Sequence, residues 1–194
     1  MKNICYFDLE TKYSFAEIEK DWEKLTFNQK DAIRTRVVTK MGLATGCIIS
    51  EGKKDEALYF DEGQEGELIK ALDSFDLVIG HNVLQFDFLV LSPYCKSDII
   101  KHFKPKTLDT LDYLKTITGK FVSLNELAQL NTKAEKTMSG ADAPNLWRSG
   151  KKDEVRDYCR NDVELLREIY LLGKKEKYLK YKNYGSIQKI KVSW

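Results

Sequence analysis

Apolar and polar positions divide the chain into short elements. The first run, Ile4-Cys5-Tyr6-Phe7, is continuous and apolar and then meets acids at Asp8 and Glu10. It predicts a buried strand over residues 3–10. Further strand signals fall at 42–50 (GLATGCIIS) and 56–60, separated by the turn-prone EGKKD, which suggests an antiparallel meander. The order then becomes helix (65–72), strand (77–79), helix from about Gln85, strand (about 107–108) and helices to the end. That alternation belongs to parallel β–α units, so the pattern predicts an α/β fold with a mixed five-stranded sheet and helices on its faces.

Residues 14–38 interrupt the scheme with a helical insertion after the first strand. Ser14 with Glu17 and Thr26 with Gln29 read as capping boxes, and Phe15, Ile18, Trp22 and Leu25 recur at helical spacing. Two readings stand: a lid over a site at the end of the first strand, or extra packing.

Composition narrows the class. With 194 residues and 42% hydrophobic content, the chain suits one domain over 1–194. No leader, lipidation signal or long apolar run is visible, so a cytoplasmic protein without a membrane span is expected. Cys5, Cys47, Cys95 and Cys159 form no CxxC pair, and His81 and His102 lack metal-pair spacing, which argues against zinc. Net charge is only +2, yet residues 173–194 form a basic extension in which Lys alternates with Tyr.

The acids carry the chemistry. Asp8 and Glu10 are two apart, so in a strand both side chains share a face. Converging carboxylates need a cation or protons, and oxygen ligands suit Mg²⁺ or Mn²⁺; the alternative is a strand that ends at Phe7 with both acids solvated. Asp87 sits among Phe86, Phe88, Leu89, Val90 and Leu91, which leaves it either turned inward with a partner or on one exposed stripe. The stretch KKDEVRDYCRNDVELLREIYLLG predicts a long helix with Asp153 as cap and Gly173 as stop. Its apolar stripe passes through Asp162, with Tyr158 one turn earlier on the same side. Three segments thus aim four acids and a Tyr at what reads as a two-metal site.

On FDLET, GHNVLQFD and YCRNDVEL, in that order, the chain resembles the DEDD exonucleases, a superfamily with a ribonuclease H-like fold that includes the proofreading domains of DNA polymerases. Tyr four residues before the last Asp is similar to the Tyr-type (DEDDy) subclass, and the chain looks most like a small stand-alone member. The resemblance implies that Asp8 bridges two ions, that Glu10 and Asp162 complete the nucleophile-side ion, that Asp87 supports the other, and that Tyr158 orients the attacking water. It implies a structural or substrate-positioning role for Asn82, and it makes His81 structural.

Further substrate contacts are expected from Thr11, Trp147 with Arg148, the run Lys101 to Lys106, and the tail through Lys177 and Lys180, since Lys neutralises phosphate and aromatic rings stack on bases. Asp109 reads as a helix N-cap. The expected function is a metal-dependent 3′→5′ exonuclease acting on single-stranded DNA or RNA with a 3′ end, DNA favoured. The alternatives are an inactive nucleic-acid-binding module or an endonuclease on the same metals. A phosphatase of the haloacid dehalogenase type is disfavoured, because Glu10-Thr11-Lys12 stands where such enzymes need Asp-Gly-Thr.

Overall fold

The computed structural model describes residues 2–52, 56–132 and 142–194. Its centre is a five-stranded sheet in the order β3-β2-β1-β4-β5, with β1 at Ile4–Thr11, β2 at Leu43–Ser50, β3 at Ala57–Asp61, β4 at Leu77–Gly80 and β5 at Thr107–Asp109. β1 runs antiparallel to β2, β2 antiparallel to β3, and β4 and β5 run parallel to β1. The meander followed by parallel units is the sheet anticipated from the pattern.

β1 is apolar at successive positions because both faces of the sheet are covered. Cys5, Phe7 and Leu9 enter a core with Leu68, Leu72, Phe88 and Phe103, from α3 (Glu65–Asp73), α4 (Asp87–Leu91) and α5 (Ile99–Phe103). Tyr6 faces the other way, into a second core with Cys159, Val163, Leu166 and Tyr170 of the long helix. Of β1, only Ile4 to Tyr6 pair with β4, so the last part of β1 runs past this neighbour and leaves one edge open. Gly80 ends β4 where a Cβ would lie 2.1 Å from Val83, so only a residue without one lets the chain turn this closely.

The remaining helices are α6 (Thr110–Thr118), α7 (Leu124–Asn131), α8 (Ala143–Arg148) and α9 (Lys152–Glu176). None of the described helices is long and apolar enough to cross a membrane. The insertion holds α1 (Phe15–Ile18), a 3₁₀ turn at Trp22–Lys24, and α2 (Phe27–Val38). Both capping boxes are present: the Glu17 carboxylate accepts from Ser14 N–H at 2.8 Å, and Gln29 Oε1 accepts from Thr26 N–H at 2.9 Å. The recurring apolar residues serve two pieces rather than one helix, tied where Phe15 stacks on Trp22 at 4.4 Å.

Three sequence expectations need correction. The helix carrying Asp87 starts at Asp87 rather than near Gln85. Asp153 is not the cap of α9: the helix starts at Lys152, and Asp153 in its first turn binds Arg156 at 2.6 Å. Gly173 is not its stop either. A Cβ there would meet the Trp194 ring at 2.7 Å, so the glycine admits that ring, and the helix continues to Glu176 before Lys177 turns at φ 62°.

The largest departure is the tail, which is not helical. It forms an antiparallel hairpin of β6 (Tyr178–Asn183) and β7 (Ser186–Lys191). Leu179, Tyr181 and Ile190 alternate inward to a third core with Leu114, Leu127 and Ile169. Tyr184 (φ 47°) and Gly185 (φ 83°) form the two-residue turn, and a positive φ at both suits strand twist.

Candidate active site

The protruding end of β1 carries the acids. Asp8 and Glu10 share the face of Tyr6, toward α9, and one oxygen each from Asp8, Glu10 and Asp162 lies within 4.8 Å of the others. Glu10 is 8% exposed and Asp162 7%. α9 is pinned to β1 here by the Cys159 thiol, which donates to the Asp8 carbonyl at 3.4 Å. Three clustered carboxylates, two of them buried, repel one another unless a cation or protons intervene. An all-oxygen donor set fits a hard divalent ion such as Mg²⁺ or Mn²⁺.

Asp87 approaches from the opposite side of the sheet. It is 2% exposed at the start of α4, and its Oδ1 accepts the Leu9 N–H at 3.0 Å on the edge that β4 leaves open. Burial, with the Asp109 charge adding to it, pushes its carboxyl up to about 8. Burial and the Asp109 charge thus favour the protonated carboxyl in the metal-free site, and a nearby cation would favour the ionised form. Of the two sequence readings for Asp87, the inward one is observed.

Asp109 caps α6, accepting from Leu111 and Asp112 N–H at 3.0 and 3.2 Å. The same carboxylate also accepts from Asn82 N–H at 2.8 Å and Leu84 N–H at 3.0 Å. It therefore clamps the loop between β4 and α4 that leads to Asp87. Nothing in the sequence around Asp109 marks this second pair of donors, which lie 27 and 25 residues away.

These groups open into one cavity of about 590 Å³, lined by Asp8, Glu10, Asp87, Tyr158 and Asp162, with Thr11, His81 and Asn82 on its wall. Tyr158 is buried, and desolvation raises its phenol well above the ordinary value, with the charges of Asp162, Glu10 and Asp8 adding to the effect. It stays protonated through the neutral range, so it can donate a hydrogen bond and cannot act as a base. Asn82 adopts φ 72°, a conformation uncommon outside glycine, held by its bond to Asp109. His81 Nδ1 is paired with Thr110 Oγ1 at 2.9 Å, and the Thr11 hydroxyl donates to the Tyr13 carbonyl at 3.0 Å.

The insertion closes one side. Ser14, Phe15, Ala16, Trp22 and Glu23 line the cavity, and Pro144 of α8 adds to the rim. Arg148 ties these walls together, donating to the Lys12 carbonyl at 2.6 Å and pairing with Glu17 at 2.5 Å.

The other anticipated substrate-binding residues lie elsewhere. Trp147 is 3% exposed and packs with Ala44, Ala143 and Val155, so its ring belongs to the core rather than to a base. Of the loop around it, residues 138–141 fall outside the described residues. Lys106 is engaged with Asp73 at 2.6 Å. Lys177 caps the far end of α9, about 22 Å along the axis from Asp162 at 1.5 Å per residue, and Lys180 follows on β6.

Residues 90–185 match the model of a family described as a predicted 3′-5′ exonuclease related to the exonuclease domain of PolB. The matched segment contains Tyr158 and Asp162; Asp8, Glu10 and Asp87 precede it. Among solved structures, the family B DNA polymerase from the hyperthermophilic archaeon Pyrobaculum calidifontis superposes with a TM-score of 0.54 at 13% identity, over 90% of this chain and 24% of that one. The fold is ribonuclease H-like. At that identity the likeness concerns fold alone, and this chain spans about a quarter of the polymerase's length. No curated protein matches the sequence.

Proposed function

We propose that the chain is a divalent-metal-dependent 3′→5′ exonuclease that releases nucleoside monophosphates from single-stranded nucleic acid, DNA in preference to RNA. The observation that carries this reading is the convergence of Asp8, Glu10 and Asp162 within 4.8 Å, in one cavity with Asp87 and Tyr158. The family match, to a predicted 3′-5′ exonuclease related to the exonuclease domain of PolB, supports the reaction class and the choice of DNA.

Asp8, Glu10 and Asp162 would hold one cation, and Asp8 with Asp87 a second. Divalent ions at such a set supply a nucleophilic water at neutral pH and neutralise charge on the leaving oxygen. The chain's own groups do the rest. Tyr158, protonated, holds the attacking water in line by donating to it, an effect of positioning rather than proton removal. The Asp109 clamp holds Asn82 and the start of α4, so that Asp87 meets the protruding strand at a constant distance. Phe15 and Trp22, beside the acids, shield the reacting phosphate from bulk water.

The test is incubation of purified protein with 5′-labelled single-stranded DNA and RNA of equal sequence, with Mg²⁺, Mn²⁺ or a chelator. A metal-dependent ladder descending from the 3′ end, stronger on DNA, is the expected result. A discrete internal cut would overturn the direction of attack, and binding without cleavage would make the chain a nucleic-acid-binding module.

A further inference from the structure

The strongest charge asymmetry of the molecule lies away from the cavity. Residues 174–194 carry seven Lys against one Glu, whereas the whole chain nets only +2, so the remainder is net acidic. The hairpin concentrates this charge on one face. The register pairs Lys180 with Lys189, Lys182 with Ile187 and Tyr178 with Lys191, so these six side chains point the same way, opposite to Leu179, Tyr181 and Ile190. Among the described residues, none of the four lysines has a carboxylate within ion-pair distance.

Lys180 and Lys189 stand directly opposite each other, an arrangement that costs stability. Four like charges on one small face suit a polyanion. Aromatic rings accompany them: Lys189 sits over the Tyr178 ring at 4.0 Å, and Tyr184 at the turn is 94% exposed beneath Lys120. The hairpin is rigidly mounted, since β6 receives Asn131 and Glu126 of α7 on its backbone N–H groups at Lys180 and Lys182. A fixed basic face with an exposed ring matches the chemistry of single-stranded nucleic acid, where ammonium groups meet phosphates and a ring stacks on a base.

We propose that the outward face of the β6–β7 hairpin is a second nucleic-acid site, which holds the substrate strand upstream of the 3′ end engaged at the acids. It deepens the exonuclease reading and rests on it. The span of about 22 Å along α9 corresponds to about six nucleotides at ~3.4 Å each. Long strands would reach both sites; a mononucleotide ester would reach the cavity alone.

The experiment uses a variant with Lys180, Lys182, Lys189 and Lys191 all changed to Ala. Its control carries Ala at the exposed Lys20, Lys24, Lys70 and Lys96. Binding of a fluorescein-labelled 20-nucleotide oligothymidine is followed by anisotropy in chelator at several salt concentrations. Turnover with Mn²⁺ is followed on the 20-mer and on the p-nitrophenyl ester of thymidine 5′-monophosphate.

The hairpin variant is expected to bind the 20-mer about 10- to 100-fold more weakly. Its salt slope should fall by about 0.7 for each phosphate that is no longer neutralised, and KM should rise on the 20-mer while the ester is hydrolysed at the wild-type rate. The control should bind like wild type. Equal affinity and salt slope in hairpin variant and wild type, or equal weakening in the control, would overturn the proposal and leave the lysines as guards against edge-to-edge strand pairing. Failure of the wild type to hydrolyse either substrate would instead strike the nuclease reading, because oligothymidine binding reports on the hairpin independently.

Discussion

α9 passes one region of like charge near its middle and leads to another beyond its end, and the two are built in opposite ways. Near its middle, carboxylates from β1 and α9 are gathered into a cavity. Beyond its end, lysines stand on an exposed hairpin face over a packed apolar underside. Exposed like charges cost little, because water and salt screen them. Buried ones cost far more, so the cavity is where the fold gives up stability, whereas the hairpin asks almost nothing of it. Substitutions should separate the two regions accordingly, with large effects on chemistry or stability at the acids and effects on binding at the lysines.

The largest effect should come from the cavity. Asp8→Ala and Asp162→Asn are expected to lower turnover by at least ~10³-fold, measured on labelled single-stranded DNA, with the folded state retained by circular dichroism. Wild-type cleavage by a contaminant-free Asp8→Ala preparation would break the comparison at its acidic end.

Tyr158→Phe sharpens it, because only the hydroxyl is removed and the ring stays in the stripe of α9. kcat should fall about 10- to 1000-fold with KM nearly unchanged. Calorimetric Mn²⁺ affinity should stay near wild type for Tyr158→Phe and vanish in Asp162→Asn. A full-rate Tyr158→Phe enzyme would return the residue to ordinary packing.

Asp87 makes the comparison thermodynamic. Its folded carboxyl is raised to about 8, above the ordinary value near 4 of the unfolded chain. Between those values the folded state binds the extra proton, so this group makes the metal-free protein less stable as pH rises from about 4 to 8. Asp87→Asn, which keeps an acceptor for the Leu9 N–H, should raise stability in chelator by on the order of 2–4 kcal/mol at pH 8. The gain should vanish near pH 4. Urea unfolding at the two pH values checks it, and an equal gain at both would remove proton linkage as the cause.

The smallest effect belongs to the hairpin. Lys180→Thr removes one member of the like-charged pair with Lys189 and should stabilise the fold by less than about 1 kcal/mol, with high salt erasing the difference. A loss of stability on thermal melting would mean that the lysine stem packs.

Much of the fold was readable because burial on both faces writes itself into composition: Ile4 to Phe7 read as a core strand, and Ser14 with Glu17 announced a cap through one local hydrogen bond. The hairpin escaped, although its alternation from Tyr178 to Lys182 is period two. Tyr-Gly is a weaker turn signal than Asn-Gly, and the preceding helix runs past the glycine that resembled its stop. Trp147 was misread for a related reason, since an aromatic beside an Arg in a loop-like stretch carries no mark of whether a core will form over it.

The sequence by itself determined which chemistry is available. Residue type and spacing of two, or of four, put Asp8 with Glu10 and Tyr158 with Asp162, because strand and helix periodicity are local properties of the backbone. Tertiary structure alone decided that these pairs meet, that β4 stops short so Asp87 can take the Leu9 N–H, and that Asp109 holds the loop between them. It also decided that the insertion becomes a wall and that the lysines share one face. Those outcomes depend on register, strand length and packing between segments tens of residues apart, where the free energy of each interaction exists only once the other side has arrived.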